Sequence, residues 1–207
     1  MSDDFHAHHS PCGAFASFTV GRFGKGGGFG LELAGPAPQD VFVACGRAGE
    51  PVRALPFYEG SAGPGAEAYT GGEGGGAPFA RWRPFTAREI VRELTWAGDA
   101  WRAGDLAFRL LTPFGPVPDP EFGDAEAVRR AVLPAILAEV ELDNTRSGRP
   151  AWAFFGIGNR GEGPLRPLSD TTGGRLRGIA RETRFGMAAE AVTGVEEVLT
   201  WDLAAAI

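Results

Sequence analysis

The chain is poor in cysteine and histidine, the two residue types from which many metal and redox sites are built. Two cysteines, Cys12 and Cys45, occur among 207 residues. A single pair does not make a disulfide framework, and both lie in apolar, strand-like surroundings, so we expect two reduced, buried thiols. The three histidines all lie within the first ten residues. Any site that uses histidine must therefore include this end of the chain.

Long apolar runs and an excess of positive charge are also lacking. The net charge is −6 at neutral pH, whereas a general nucleic-acid binder needs a basic face, so no nucleic-acid partner is expected. No apolar stretch is long enough to span a bilayer, so no membrane association is expected. The first ten residues, MSDDFHAHHS, are acidic and lack the apolar core of a secretory signal. A cytoplasmic location is the resulting prediction.

Glycine and proline are abundant, with 32 and 16 residues, and this indicates many turns and few long helices. Short alternating or apolar segments predict strands at 14–20, 29–33, 41–45, 52–57, 88–96, 106–112, 135–142, 151–157, 176–180, 182–188 and 198–203. Asp124 can cap one short helix over 124–131. Residues 61–77 are glycine-rich and predict a mobile surface loop. The pattern favours a mostly β chain: an antiparallel β-sandwich with one short helix, forming a single domain over 1–207.

Two glycine-rich motifs do not predict nucleotide binding. The segment 21–30 has a Gly-Lys pair but lacks the following Ser or Thr and the earlier glycine of a P-loop. The segment 156–161 satisfies G-x-G-x-x-G, but Pro164 and Pro167 follow where the dinucleotide fold needs a helix. We interpret both segments as turns.

The histidine cluster is the most distinctive polar feature of the chain. The spacing His6-Ala7-His8 places two imidazoles on one face of a strand and His9 on the other. Carboxylates could complete a zinc site, but polar surface is the commoner explanation, and we expect no metal. Ser10 and His9 are adjacent and point apart on a strand, which disfavours a catalytic triad. No spacing singles out a carboxylate pair for glycoside hydrolysis among Asp99, Asp105, Asp119, Glu121 and Asp170, which all lie in turns.

Three of the five tryptophans crowd one region of the chain. Trp82, Trp96 and Trp101 could stack on sugar faces if exposed. Buried tryptophans are commoner, so we expect these three side chains in the core.

The first forty-five residues resemble the N-terminal signature of glycoside hydrolase family 52, the bacterial β-xylosidases. The likeness lies in Ala7-His8-His9-Ser10-Pro11, in the run Gly13-Ala14-Phe15-Ala16-Ser17-Phe18-Thr19, in Gly24-Lys25, in Gly27-Gly28, in Leu31-Glu32-Leu33-Ala34 and in Val41-Phe42. It continues more patchily through Leu55-Pro56-Phe57, Ala103-Gly104-Asp105-Leu106, Asp143-Asn144-Thr145 and Phe154-Phe155-Gly156. His6 departs from the family's usual asparagine, and Cys12 fills a variable position.

The resemblance implies a retaining β-xylosidase that acts on short xylooligosaccharides without a cofactor. The family joins an N-terminal β-sandwich to an (α/α)6-barrel that carries the catalytic glutamate and aspartate. Because this chain matches the sandwich region, the resemblance implies that it contains no catalytic residue and that it does not hydrolyse the substrate alone. It further implies that His8, His9 and Ser10 lie at the mouth of the sugar pocket as substrate-binding residues. The expected partners are a xylooligosaccharide in the full-length enzyme and the barrel, in cis or in trans, and a homodimer is left open.

Two other functions remain open from the sequence. A stand-alone carbohydrate-binding module would hold sugar on Trp96, Trp101 or Trp152 without chemistry. A structural partner would complement a separately encoded barrel.

Overall fold

The computed structural model describes residues 6–21, 27–31, 39–57, 82–158, 164–168 and 173–199. The chain divides into two compact units, of which the first comprises Met1–Gly60 and Arg81–Gly158 and the second Ser61–Ala80 and Asn159–Ile207. The predicted loop over 61–77 lies outside the described residues. The single domain over 1–207 stays a prediction.

The described residues are mostly β. The strands are β1 His6–His9, β2 Ala16–Gly21, β3 Gly28–Leu31, β4 Asp40–Arg47, β5 Val52–Ala54, β6 Trp82–Pro84, β7 Ile90–Leu94, β8 Gly98–Ala103, β9 Leu106–Leu111, β10 Leu137–Leu142, β11 Ala151–Gly158, β12 Arg166–Pro167, β13 Leu176–Arg181 and β14 Phe185–Glu190. Three sheets belong to the first unit, with strand orders β1-β2-β3, β10-β9-β8-β7 and β11-β4-β5-β6. The second unit contains the antiparallel sheet β12-β13-β14. The predicted β-sandwich class is confirmed, with one parallel pair, β5 with β6, among the described strands.

The three sheets of the first unit share one apolar core. Phe108 of β9 stacks on Phe155 of β11 with 5.7 Å between ring centroids, and Phe18 of β2 meets Phe155 at 5.9 Å. Trp101 of β8 is 1% exposed and contacts Phe57 at 5.1 Å. Burying such aromatic surface is the main favourable term in folding, so this junction holds the three sheets together.

Strand β4 shows why the sequence folds in this way. Its apolar run over 41–45 is buried throughout, and the strand lies between β11 and β5. A central strand covered on both faces tolerates apolar side chains at consecutive positions instead of at alternate ones. The same environment buries the Cys45 thiol, as predicted, and raises its pKa.

The one helix among the described residues, α1, spans Ala125–Ala131 and confirms the prediction over 124–131. The Asp124 carboxylate accepts a 2.9 Å hydrogen bond from the Ala127 N–H and so caps the helix. The helix ends at Val132, just before Pro134, which lacks the N–H needed to continue it.

Several local predictions were wrong. Residues 97–105 were expected to be a turn-rich link, but they contain β8, because Asp99, Trp101 and Ala103 alternate into the core. The strand predicted from residue 14 begins at Ala16, after a turn closed by the Ala14 N–H on the Pro11 carbonyl. That turn exposes Cys12, which was expected to be buried. Residues 198 and 199 form no strand, and the rest of that predicted strand lies outside the described residues.

Candidate functional site

The predicted site residues His8, His9 and Ser10 lie on and directly after β1. The side chain of His8 is exposed, and its Nδ1 lies 3.1 Å from Thr19 Oγ1 on the neighbouring strand β2. Ser10 is also exposed and donates a 3.0 Å hydrogen bond from Oγ to the Ala16 carbonyl. Both side chains therefore lie at the surface, and each contacts a residue of β2.

His9 points the other way, into the first unit. Its side chain is buried, and Nδ1 lies 3.0 Å from Thr112 Oγ1, just beyond the end of β9. Its Nε2 is buried without a hydrogen-bond partner and lies 3.9 Å from Asp99 Oδ2 on β8. The alternation predicted for this strand thus separates His8 from His9.

Asp99 is a charged residue at the core, only 3% exposed. Arg92 on β7 neutralises it through a two-point pair, with 2.9 Å between Nε and Oδ1 and a second contact from Nη2 to Oδ2. The Arg92 guanidinium also lies 5.2 Å from the Trp101 ring centroid. Two parallel hydrogen bonds and an aromatic surface suit the planar guanidinium well, and this explains how a carboxylate is tolerated there.

The electrostatic surroundings of His9 favour its neutral form. Burial lowers the pKa of its imidazole below the ordinary value of 6.5. Asp99 opposes this shift, while Arg92 and His8 add to it. Because Arg92 already compensates Asp99, the carboxylate attracts a proton on His9 less than an unpaired carboxylate would.

Thr112, His9 and Asp99 lie in the spatial order of the nucleophile, the base and the orienting acid of a catalytic triad. Their geometry, however, differs from that of a triad. The 3.9 Å between His9 Nε2 and Asp99 Oδ2 exceeds hydrogen-bonding distance, and both Asp99 oxygens face Arg92. The group connects β1 to the β7–β10 sheet. The sequence reasoning placed Asp99 in a turn and did not connect it with His9.

The remaining candidate carboxylates stabilise turns or form ion pairs. Asp105 pairs with Arg47 at 2.8 Å, and Asp119 accepts a hydrogen bond from the Glu121 N–H. Asp170 lies outside the described residues. Within the described ranges, no three His, Cys, Asp or Glu side chains are grouped to hold a metal ion. No helix in that part of the chain is long and apolar enough to cross a membrane.

A shallow cleft of about 330 Å³ lies beside β4, β5 and β6, and Arg47, Arg53 and Arg83 line it together with Cys45. Arg53 pairs with Glu89 at 2.8 Å. The Thr86 N–H, together with Arg53, lowers the pKa of Glu89 to about 2. Arg47 and Arg53 are both matched by carboxylates, so neither offers a free positive charge to an anion.

Trp82, Trp96 and Trp101 were expected in the core, and the side chain of Trp82 lies outside the described part of the structure. Trp101 is buried, but Trp96 is 80% exposed, because it lies in the turn between β7 and β8. Its ring meets Phe114 at 4.9 Å with planes at 82°. Trp152 is partly buried and stacks with Phe154 at 5.8 Å. Of the three tryptophans named for a sugar-binding module, only Trp96 presents a broadly exposed ring.

Comparison with known proteins identifies the family of this chain. The profile described as glycosyl hydrolase family 52 matches residues 18–207. The chain belongs to glycosyl hydrolase family 52. The match begins inside the motif over 13–19 that carried the resemblance, and the family prediction is confirmed.

Two curated relatives of this family 52 chain are each named β-xylosidase and come from Geobacillus stearothermophilus. One is 41% identical over 189 residues, which cover 86% of this chain and 30% of the relative. The other is 40% identical over 184 residues, which cover 86% of this chain and 26% of the relative. The chain therefore spans less than a third of the length of these relatives.

Proposed function

We propose that this chain is the N-terminal portion of a retaining β-xylosidase that removes xylose from short xylooligosaccharides in the cytoplasm without a cofactor. The observation that carries the proposal is about 40% identity, over 86% of the chain, to two proteins named β-xylosidase. Membership of a glycosyl hydrolase family supports a glycoside as the substrate. The finer specificity for xylose comes from the names of these two relatives.

The proposal divides the work between this chain and the rest of such an enzyme. Retaining hydrolysis needs two carboxyl groups about 5–5.5 Å apart across the glycosidic bond. Asp99 is engaged with Arg92 and Asp105 with Arg47, so neither is free to act as nucleophile or acid. We assign both catalytic carboxylates to the barrel part of the enzyme and expect no hydrolysis by this chain alone.

The proposal gives the histidine segment two roles. His8 on β1 and Ser10 directly after it, both exposed, contact hydroxyl groups of the sugar. His9 acts indirectly, because its contact with Thr112 holds β1 against the β7–β10 sheet. In a full-length relative, replacing the residue matched to His8 by alanine should raise KM, and replacing the one matched to His9 should chiefly lower stability. Unchanged kinetics and stability in both variants would remove the support for these roles.

The direct test is the release of p-nitrophenol from p-nitrophenyl β-xyloside by the purified 207-residue chain. No release above background is expected, while a full-length Geobacillus stearothermophilus relative in the same buffer should be active. Hydrolysis by the chain alone would contradict the assignment of both catalytic carboxylates to the barrel part of the enzyme. A matched assay with the β-glucoside tests whether xylose is the preferred sugar.

A sugar-binding module is the second candidate, and the exposure of Trp96 beside Phe114 favours it. A module should change its tryptophan fluorescence on titration with xylobiose, and Trp96→Ala should abolish the change. The β-xylosidase proposal predicts little response from the isolated chain. A saturable response that depends on Trp96 would favour the module.

A further inference from the structure

Exposed apolar side chains gather at one end of the β7–β10 sheet. Seven of them form what we call the apolar end cluster: Phe15, Leu94, Trp96, Leu111, Phe114, Leu133 and Leu137. Trp96 is 80% exposed, and Phe15, Leu94 and Phe114 are each 68% exposed. Single exposed apolar residues are ordinary on soluble proteins, but seven at one end of a sheet, three of them aromatic, are typical of an interaction surface.

Backbone pairing brings the members of this cluster to the same end of the sheet. Gly98 pairs with Leu111, and Leu111 pairs with Leu137. Leu94 and Trp96 adjoin the turn closed by the Thr95 N–H on the Gly98 carbonyl. The rings of Trp96 and Phe114 are in contact.

The loop that carries Phe15 lies at this end as well. A side chain at Gly13 would meet Val132 Cγ1 at 3.2 Å, so the loop packs beside the residue that precedes Leu133. The contact between His9 and Thr112 joins the strand before this loop to the residue after Leu111. The apolar end cluster and the contact between His9 and Thr112 therefore lie at the same end of the sheet.

Phe15 adds an independent observation. Its φ of +49° lies in the left-handed region, which phenylalanine rarely occupies. The neighbouring Gly13, with φ of +72°, adopts the same region without a steric penalty. A strained backbone that holds a large aromatic ring in solvent is unfavourable for the isolated chain, and such strain concentrates at sites of binding or catalysis.

The outer face of the same sheet also carries ion pairs between exposed side chains. Arg109 pairs with Glu139 and with Glu141, in the rows next to Leu111 and Leu137. Charged side chains therefore border the apolar end cluster on this face. Aromatic residues with few charges at the centre and charges at the rim are typical of protein interfaces.

We propose that the apolar end cluster is the surface on which the remaining polypeptide of a family 52 enzyme docks. The length of the relatives supports this occupant, since about 70% or more of each lies outside the region matched by this chain. The identity of the partner rests on the proposed function, whereas the position of the surface rests on exposure, register and the strain at Phe15. A flat sugar platform fits less well, because the planes of Trp96 and Phe114 meet at 82°.

Co-production of two polypeptides tests the proposal. The 207-residue chain is produced together with the tagged part of the Geobacillus stearothermophilus relative that follows the matched region. The unaltered chain should be recovered with the tagged partner. The double variant Trp96→Asp with Phe114→Asp should reduce the recovered chain at least about tenfold, since buried aromatic anchors dominate interface energies. Val91→Asp is the matched control, because Val91 is an exposed apolar residue on β7 four register steps from the Leu111 row, and recovery of this variant should not change.

Equal recovery of the double variant, or no recovery of the unaltered chain, would overturn the proposal. Circular dichroism and urea unfolding check that the variants fold. If the double variant does not fold, Phe15→Gly replaces it and should lower recovery in the same direction. If light scattering shows that the chain alone is a dimer that Trp96→Asp dissociates, a second copy occupies the surface and the proposed partner is wrong.

Activity separates the failure of this proposal from failure of the proposed function. A recovered complex that depends on Trp96 but cleaves no β-xyloside would support the docking surface and contradict the proposed function. A complex that cleaves the xyloside and still forms with the double variant would support the proposed function and contradict the docking surface.

Discussion

His9 on β1 and Thr112, just after β9, are joined by a 3.0 Å contact between Nδ1 and Oγ1, although 103 positions separate them in the chain. The contact links the β1–β3 sheet to the β7–β10 sheet at the end where the apolar end cluster lies. Because burial lowers the pKa of its imidazole, His9 stabilises this junction more strongly when it is uncharged.

Replacing His9 with alanine should lower the free energy of unfolding by about 2 kcal/mol, because it removes a buried ring and leaves Thr112 without this partner. Urea unfolding of the chain measures the change. His8→Ala is the matched control on the same strand. Its side chain is exposed, so a loss of less than about 1 kcal/mol is expected. Equal effects from the two variants would contradict the buried role of His9.

The stability of the chain should decrease as the pH falls through the ordinary histidine pKa. The folded-state pKa of His9 is lowered from 6.5, so between these two values the unfolded chain binds more protons than the folded chain. The free energy of unfolding therefore rises with pH in this window. The contribution is fully present above 6.5 and is lost once the pH is below the folded-state pKa.

Urea midpoints between pH 5 and pH 8 measure this dependence, and His9→Gln is the diagnostic variant, because glutamine keeps hydrogen-bonding groups but does not titrate. The slope near pH 6 should be smaller in His9→Gln than in the unaltered chain. An unchanged slope would show that another group controls the pH dependence.

The sequence predicted the directions in which the side chains of β1 point, but not the residues that they contact. The period of two along a strand was enough to separate His8 from His9. The contact of His9 with Asp99 depends on how separate sheets pack, which no local pattern encodes. Asp99 itself was assigned to a turn, because Gly98 before it is a typical turn residue. The alternate positions 99, 101 and 103, taken as one face of a strand, would have indicated β8.

The exposure of Trp96 was also beyond local reasoning. Tryptophan side chains are highly buried on average, so a core position was expected, and this expectation is correct for Trp101. It is wrong for Trp96, where the β7–β8 turn places the ring outside the sheet. The strain at Phe15 could not be inferred either, since the sequence places an ordinary apolar residue there. Both departures from local preference lie in the apolar end cluster, as expected of a functional surface.

The pair Arg92 and Asp99 should show strong coupling in a double-mutant cycle. Arg92→Met leaves a buried carboxylate without its compensating charge and should cost about 3–5 kcal/mol of unfolding free energy. The double variant Arg92→Met with Asp99→Leu should be clearly more stable than the sum of the single losses predicts, because it leaves no unpaired charge. Arg109→Met removes only exposed ion pairs and should cost less than about 1 kcal/mol. Additive single losses at Arg92 and Asp99 would contradict this assignment.

Gly46 should not tolerate alanine. A methyl group there would lie 2.2 Å from Trp152 Cζ2, and the ring covers the glycine across the β4–β11 pair. We expect Gly46→Ala to lower the unfolding free energy by about 1–3 kcal/mol, because the Trp152 ring must move. Gly148→Ala is the control, since no atom lies within 4 Å of its added methyl group. Thermal or urea unfolding distinguishes the two, and similar stabilities would show that the Trp152 ring is free to shift.

Phe15 is expected to destabilise the isolated chain and to contribute to docking of the partner polypeptide. Glycine at this position relieves the steric penalty of a φ of +49°, so Phe15→Gly should raise the free energy of unfolding of the isolated chain by about 1 kcal/mol. Phe15→Ala removes the same exposed ring but keeps a Cβ in the left-handed region, so it should not stabilise the chain. Both variants should be recovered less well with the tagged partner, because both lack the ring. Urea unfolding and the recovery assay together separate strain from contact: a stabilised Phe15→Gly chain that docks as well as the unaltered chain would show that the strain serves some purpose other than docking.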